Sequence, residues 1–261
     1  MKIMNATKSL PVLFTLFVFA ACFLLPASVQ QTQSSSKPRE IDIEKTASGN
    51  LKIVPITHAS VMLEWRGKEI YIDPWSQGDY SGLAKSDLIL ITDIHPDHMD
   101  LKGIAAVKDT DTIIIGPEAV AKTIPEAQIL RNGEKTSLIM GGTLTIEAVP
   151  MYNLTRGPSP GEFYHPKGRG NGYVLDIGGK RLYFSGDTEC VPEIKSLERI
   201  DIAFLCMNLP YTMTAQEAAD CVKTFRPMIV YPYHYRGQDP NVFADALKGE
   251  KEIEVRIRKW Y

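Results

Sequence analysis

The chain has 261 residues, of which 44% are hydrophobic and 23% are charged, and its formal net charge is −2. This composition is ordinary for a globular protein and argues against overall disorder, and the length fits one large domain or two tightly packed halves. Because no block of lysine and arginine is interleaved with aromatic residues, neither a nucleic acid nor an anionic membrane surface is an expected partner.

The first segment of the chain is apolar and follows two basic residues. Lys2 and Lys8 precede an apolar run from Leu10 to Ala27, after which Ser28 begins a polar stretch. A basic start, an apolar stretch and small residues are typical of a secretory signal, so we expect residues 1–29 to be a signal peptide and the protein to be periplasmic or secreted. The alternative is a retained membrane anchor, because the run approaches the shortest spanning length of roughly 17 residues.

The next residues predict a linker followed by a single α/β domain. Residues 30–40 are rich in Gln and Ser and are typical of a flexible linker, and the folded domain is expected over residues 41–261. The apolar and alternating patterns predict the following strands: Leu51–Val54, Ser60–Trp65, Glu69–Ile72, Leu88–Ile91, Thr112–Ile115, Leu144–Val149, Gly172–Ile177, Arg181–Ser185 and Met228–Tyr233. Helices are expected over Leu101–Val107, over Glu118–Lys122 and from Thr214, where Thr214 and Glu217 form a capping-box pair.

Four cysteines are present, and Cys22 lies in the leader, in a segment that loosely resembles a lipoprotein box. The remaining three, an odd number, allow at most one disulfide. Cys206 lies in an apolar run and Cys221 on an apolar helical face, which predicts buried small hydrophobic residues for both. Cys190 is a weak candidate for a metal thiolate, because it lies near a suspected ligand.

The segment after the apolar strand at Leu88–Ile91 concentrates potential metal ligands. Asp93, His95, Asp97 and His98 lie within six positions, on a loop that contains Pro96. Imidazole and carboxylate together suit zinc, manganese or iron better than calcium, which prefers oxygen ligands alone. A polar turn that caps a helix would seldom place two histidines and two aspartates in this way, so the pattern predicts a site for one or two divalent metal ions.

This segment resembles the H-x-H-x-D-H signature of the metallo-β-lactamase superfamily, with Asp93 where the first histidine usually stands. The resemblance covers nearly the whole mature chain and is closest to the lactonase-like branch, which includes ascorbate-phosphate lactonase. Later segments are similar to motifs of that branch: His58-Ala59-Ser60 through Asp73-Pro74-Trp75, Val149 to Asn153, His165 to Gly168, Tyr183 to Thr188 and Tyr233-His234. The resemblance implies an αββα sandwich of two mixed sheets flanked by helices.

The resemblance also implies a role for each matching residue. Asp93 and His95 would bind one metal ion, Asp97 and His98 would bind the second, Asp187 would bridge both, and His234 would complete the second site. The third ligand of the first ion stays open between Asn153 and His165, and imidazole is the better ligand. His58 would lie at the floor of the site or be a paired core residue, and Asp73 would fix a loop or support a metal-bound histidine.

A carboxylate at position 93 would harden the first site, so manganese and iron would compete better with zinc, which remains the first expectation. The same departure from the signature weakens the case for a true β-lactamase. Lys167 and Arg169, with Asn153, are candidates for binding an anionic part of a small-molecule substrate, against the alternative that two cations in a glycine-rich loop face solvent.

The resemblance implies a hydrolase in which a metal-bound hydroxide attacks a lactone or ester, with Asp97 as the orienting group or general base. A phosphodiesterase or phospholipase-D-like enzyme is the second possibility, because two metal ions also suit phosphoryl transfer. A non-catalytic metal-binding or ligand-binding protein is the third, because the first ligand departs from the signature. The sequence indicates neither the natural substrate nor the oligomeric state.

Overall fold

Two seven-stranded sheets contain all the strands of residues 39–261, the part of the chain that this computed structural model describes. In chain order the first sheet is built from β1 Asp42–Thr46, β2 Gly49–Thr57, β3 Ser60–Trp65, β4 Lys68–Ile72, β5 Ser86–Leu90, β6 Lys108–Gly116 and β7 Gln128–Ile129. The second is built from β8 Lys135–Ile139, β9 Thr143–Met151, β10 Gly170–Ile177, β11 Lys180–Phe184, β12 Ile202–Cys206, β13 Ile229–Tyr233 and β14 Glu254–Val255. The helices are α1 Leu101–Val107, α2 Glu118–Ala121, α3 Pro192–Lys195, α4 Ala215–Phe225 and α5 Pro240–Leu247.

The two sheets repeat one topology. In each, four consecutive strands pair antiparallel, and the fourth then begins a parallel series of four strands. Parallel neighbours need crossover connections, which usually contain helices, and α1, α3 and α4 lie in such connections. Both sheets are therefore mixed, as the predicted αββα sandwich requires.

The main core joins the facing sides of both sheets. Leu63 and Ile70 of the first sheet share one buried cluster with Leu175 and Phe204 of the second. The ring of Phe204 stacks between Phe184 at 4.5 Å and Tyr231 at 4.8 Å, measured between ring centroids. A smaller cluster, which includes Ile89, Ile104 and Val120, buries α1 and α2 against the outer side of the first sheet. The predicted fold class is confirmed.

The predicted helices agree well with the structure. The helix predicted at Leu101–Val107 has those bounds, and α4 begins after Thr214, whose side chain accepts a hydrogen bond from the backbone of Glu217 in a complete capping box. Strands β1, β7, β8, β12 and β14 and helices α3 and α5 were not predicted. Residues 1–29, predicted to be a signal peptide, and nearly all of the predicted linker lie outside the described residues. No helix of residues 39–261 has the length and apolar character needed to cross a membrane.

The prediction for Cys221 is wrong. Cys190 and Cys221 form a disulfide that links the loop before α3 to the buried face of α4. Cys190 is therefore not a metal thiolate, whereas Cys206 is a buried free cysteine, as expected. A disulfide-bonded cysteine and a free cysteine can both be buried on an apolar helical face, so the apolar pattern does not distinguish them. Spacing alone also does not identify a disulfide partner 31 positions away.

Candidate metal centre

The predicted ligands converge on one edge of the sandwich, although they come from distant parts of the chain. The cluster Asp93 to His98 follows β5, Asp187 follows β11 and His234 follows β13. These strands belong to the parallel parts of the two sheets, and the carboxyl ends of parallel strands are where α/β proteins place their sites. His165 reaches the same edge from the long connection between β9 and β10.

Three site residues have left-handed backbone conformations. The φ angles of His58, Asp73 and His234 are 54°, 44° and 47°. Such a conformation costs a non-glycine residue on the order of 1–3 kcal/mol. In each case the residue directly follows a strand and turns the chain there, so the sharp turn places its side chain at the site edge.

Asp187 is the centre of the cluster. Its Oδ2 lies 3.3 Å from Nε2 of His98 and 3.3 Å from Nε2 of His165, and its Oδ1 lies 3.3 Å from Nε2 of His234. The three histidines and Asp187 are almost completely buried. Burial alone would raise the pKa of Asp187, but the charges of His234 and His98 hold it well below its usual range. The carboxylate is therefore ionised.

Several buried polar atoms of this cluster have no hydrogen-bond partner among residues 39–261. They are Nε2 of His98, Nε2 of His165, Oδ1 of Asp187 and both ring nitrogens of His234. An unsatisfied buried polar atom costs about 1–3 kcal/mol, so such atoms facing one another call for a cation between them. Nitrogen and carboxylate donors suit zinc, manganese and iron, and the residues present fit a divalent metal ion.

Two buried oxygen acceptors set the orientation of the histidine ligands. Nδ1 of His98 lies 2.8 Å from Oδ2 of Asp73, and Nδ1 of His165 lies 2.8 Å from Oδ1 of Asn153. Each ring has an oxygen acceptor beside Nδ1 and turns Nε2 toward the carboxylate of Asp187, an arrangement typical of metal-bound histidine. Between Asn153 and His165, it is His165 that faces the centre, while Asn153 lies behind it and donates from its amide to Glu189 and Tyr211.

Asp97 lies in a chain of hydrogen bonds that reaches the last residue. Its Oδ2 is 2.8 Å from Nε2 of His58 and 3.4 Å from Nε2 of His234, and Nδ1 of His58 is 2.6 Å from the Tyr261 hydroxyl. Burial lowers the pKa of His58 to about 4, so His58 is neutral at neutral pH. The nearby imidazole of His234 and the hydrogen bond from His58 outweigh the effect of burial and lower the pKa of Asp97, which is ionised.

Asp93 is buried in the same loop and pairs with Arg169 through both carboxylate oxygens. Nε of Arg169 lies 3.0 Å from Oδ1 and Nη2 lies 2.7 Å from Oδ2, while Nδ1 of His95 lies 2.9 Å from Oδ2. Burial would raise the pKa of Asp93, but the hydrogen bond from His95 and the charges of His95 and Arg169 lower it to about 2. Ligand atoms of Asp93, His95 and His165 lie within 4.8 Å of one another.

The metal centre opens into a cavity of about 640 Å³. Its lining combines site residues with an apolar and aromatic wall: His58, Trp75, His95, Pro96, Asp97, Tyr164, His165, Asp187, Asn208, Leu209, Pro210, Tyr211 and Arg236. Sequence reasoning missed most of the wall, which comes from the loops after β12 and β13. For these two loops, the sequence signal was the position of Arg236, two residues after the predicted ligand His234, which suggests a residue near the site.

The three residues predicted to bind substrate are absent from this lining, and each has another partner. Asn153 is buried behind His165, Lys167 pairs with Glu193 at 2.8 Å, and Arg169 pairs with Asp93. The structure therefore gives these three side chains other partners in place of a position in the cavity lining. Arg236 is the cation in the cavity lining, and within residues 39–261 its guanidinium has no carboxylate partner within 4.0 Å.

The fold and the centre define the class of this protein as a metal-dependent hydrolase of metallo-β-lactamase type. Residues 52–234 match the family model described as a Beta-lactamase superfamily domain, and the chain belongs to that superfamily. A UPF0173 metal-dependent hydrolase of Pyrobaculum arsenaticum is 30% identical to it over 223 residues, which cover 77% of this chain and 94% of the relative.

Two solved structures are also similar. A candidate metal-dependent hydrolase from Parabacteroides distasonis is 44% identical, has a TM-score of 0.80, and covers 86% of this chain and 100% of its own. A metallo hydrolase from Ignicoccus hospitalis has a TM-score of 0.66 at 24% identity, covers 80% of this chain and 94% of its own, and indicates the shared fold. The predicted superfamily is thereby confirmed.

Proposed function

We propose that this hydrolase cleaves a lactone or ester whose body is apolar or aromatic and which carries an anionic group. The supporting observation is that the buried His and Asp cluster opens into a cavity with an aromatic wall and the cation Arg236, which has no carboxylate partner among residues 39–261. Pockets for small molecules are commonly apolar with a few placed polar groups. Trp75, Tyr164 and Tyr211 supply the flat apolar surface, and Arg236 supplies the charge.

When bound, the metal ions supply an acidified water molecule and polarise a substrate carbonyl. Asp97 and Asp187 both line the cavity, and we assign the base to Asp97, whose ionised form can accept a proton or a hydrogen bond from a water there. Neutral His58 donates from Nε2 to Asp97, and the Tyr261 hydroxyl in turn donates to Nδ1 of His58. These two hydrogen bonds therefore fix the Asp97 carboxylate through Oδ2 and leave Oδ1 for the reaction.

Asp97→Asn tests this role. Since an amide cannot accept the proton, we expect kcat to fall by about 10²–10⁴-fold, the usual contribution of a general base. Metal content must be measured on the same sample, because a lost ligand would also lower the rate. Full activity with the metal retained would show that Asp97 is not the base.

Arg236 is the proposed anion-binding residue. Its guanidinium carbon lies 5.4 Å from the ring centroid of Trp75 and 5.6 Å from that of Tyr261, so aromatic faces hold the side chain at the cavity. For Arg236→Met we expect KM to rise about tenfold or more for a carboxylate-bearing ester and to stay unchanged for its neutral analogue. Lys167→Met, which removes a cation paired with Glu193, is the control. Equal KM changes for both esters would argue against an anion site.

A panel of lactones, esters, phosphodiesters and β-lactams, assayed with zinc-loaded, manganese-loaded and metal-free protein, tests the substrate class. We expect turnover of a lactone or ester, strongest with zinc. Turnover of phosphodiesters alone would favour the phosphodiesterase alternative, and no turnover with full metal content would favour a binding protein.

We further propose that the protein is exported and acts in the periplasm or outside the cell. Support comes from the signal-like leader and from the disulfide between Cys190 and Cys221, since disulfides persist in oxidising compartments. Cell fractionation with N-terminal sequencing of the mature protein tests this. A cytosolic protein that retains residues 1–29 would contradict it.

A further inference from the structure

We infer that Asp93 is a positioning residue for His95 and not a metal ligand, and that Arg169 holds it in that role. The aligned position in the H-x-H-x-D-H signature belongs to a ligand, so the sequence alone suggests coordination. The contacts of the Asp93 carboxylate argue for a different role. The inference concerns the metal centre and does not depend on the substrate.

The Asp93 carboxylate is satisfied without an ion. A carboxylate has about four acceptor positions; Nε and Nη2 of Arg169 donate to two of them, and Nδ1 of His95 lies 2.9 Å from Oδ2. The Arg169 contacts form a bidentate pair, which is among the stronger hydrogen-bonded arrangements in proteins. Oδ1 of Asp187, by contrast, is buried with no partner. Asp187 therefore faces the ions, and Asp93 does not.

His95, like the two buried histidines, has an oxygen atom beside Nδ1. Nδ1 of His98 is hydrogen-bonded to Asp73 and Nδ1 of His165 to Asn153, while Nδ1 of His95 lies 2.9 Å from Oδ2 of Asp93. All three rings then offer Nε2 as the ligand atom. The hydrogen-bond contact of Nε2 of His95 is with Nη2 of Arg169 at 3.3 Å, a long contact that an ion can displace. Asp93 thus orients His95 as outer carboxylates orient metal-bound histidines elsewhere.

This arrangement also changes the charge at the first metal position. The guanidinium neutralises Asp93, so the ligands that remain there are two imidazoles, His95 and His165, and the shared carboxylate of Asp187. Nitrogen-rich ligand sets favour zinc over manganese. We therefore reverse the expectation that Asp93 increases the preference of the first site for manganese or iron. Because Arg169 neutralises Asp93, the first site should prefer zinc.

Metal content measured on zinc-loaded, dialysed full-length protein tests the role of Asp93. We expect about two zinc ions per chain in the wild type and in Asp93→Asn, whose amide oxygen still accepts from His95, and about one in His165→Ala. Asp93→Ala should weaken the more weakly held zinc by about 10–100-fold, the usual cost of losing such a support. Loss of one zinc ion in Asp93→Asn, as in His165→Ala, would overturn the inference, as would fewer than two in the wild type.

Competition between zinc and manganese tests the role of Arg169. In Arg169→Gln the Asp93 charge is no longer neutralised, so we expect the preference for zinc over manganese to fall by about tenfold. Lys167→Gln, in the same loop, should leave the preference unchanged. Circular dichroism of the metal-free variants verifies that they are folded. An unchanged preference in folded Arg169→Gln would overturn the proposed charge effect, and none of these measurements requires turnover.

Discussion

At the scale of single residues, this centre depends on acceptors that lie behind its histidines. Asp73 and Asn153 are buried, and each fixes one imidazole through Nδ1. Asn153 is itself fixed, because its amide donates to Glu189 and to the backbone of Tyr211. The asparagine thereby connects a metal-facing histidine to a loop that forms the cavity wall.

Asn153→Ala tests this support. Without the acceptor, the ring of His165 can rotate, and we expect the affinity for metal to fall by about 10–100-fold. Competition with a chelator measures that affinity. Asn241→Ala, in the exposed first turn of α5, is the matched control and should leave it unchanged. An affinity equal to that of the wild type would mean that packing alone orients His165.

The site also shows which features the sequence can predict and which need the fold. The cluster from Asp93 to His98 was recognisable because its spacing is local and matches a known signature. The partner of Asp93 is 76 positions away at Arg169, and no local pattern identifies a partner at that separation. The sequence therefore predicted which residues gather at the site, while the division between facing and supporting residues required the fold.

At the scale of elements, prediction succeeded for most elements with a strong hydrophobic pattern, although the fully buried strand β12 was missed. Strand β5 and helix α4 bury continuous or amphipathic faces, and both were predicted. Strand β1, with the sequence DIEKT, lies at a sheet edge with alternate residues exposed, and β8 is an edge strand of the same kind. Edge strands bury little, so their sequences carry a weak pattern.

The disulfide between Cys190 and Cys221 connects the loop after β11 to helix α4 and stabilises that loop. Cys190 lies three residues after Asp187, and Cys221 is on α4, so the bridge anchors the loop that carries the central carboxylate. A cross-link that closes a loop of this length stabilises a protein by about 3–4 kcal/mol in the chain-entropy model.

We therefore expect Cys190→Ser with Cys221→Ser to lower the free energy of unfolding by about 3 kcal/mol in urea titrations without reductant. Cys206→Ser is the control, because it removes a buried thiol but retains the disulfide between Cys190 and Cys221. Adding reductant should destabilise the wild type and leave the double variant unchanged. A double variant as stable as the wild type would show that packing of α4 alone holds the loop.

At the scale of the whole molecule, the metal centre links the two sheets. His98 follows β5 of the first sheet, whereas Asp187 and His234 follow β11 and β13 of the second. The edge where they meet contains buried imidazole and carboxylate groups that lack partners of their own. Ions that bind these groups therefore stabilise the packing of one half of the sandwich against the other.

Removing the metal should then lower the stability of the entire domain and not of one loop. A ligand that binds only the folded state stabilises it by RT ln(1 + [L]/Kd), which is about 4 kcal/mol at a thousandfold excess over Kd. For a chain of this size that corresponds to a rise in Tm of roughly 10 °C. Calorimetry of metal-free and zinc-loaded protein measures this rise. His234→Ala, which removes a predicted ligand that lies 3.4 Å from Asp97 and 3.3 Å from Asp187, should reduce it sharply, whereas Lys167→Ala should retain it. Equal Tm values with and without zinc in the wild type would mean that apolar packing between the sheets alone holds the halves together.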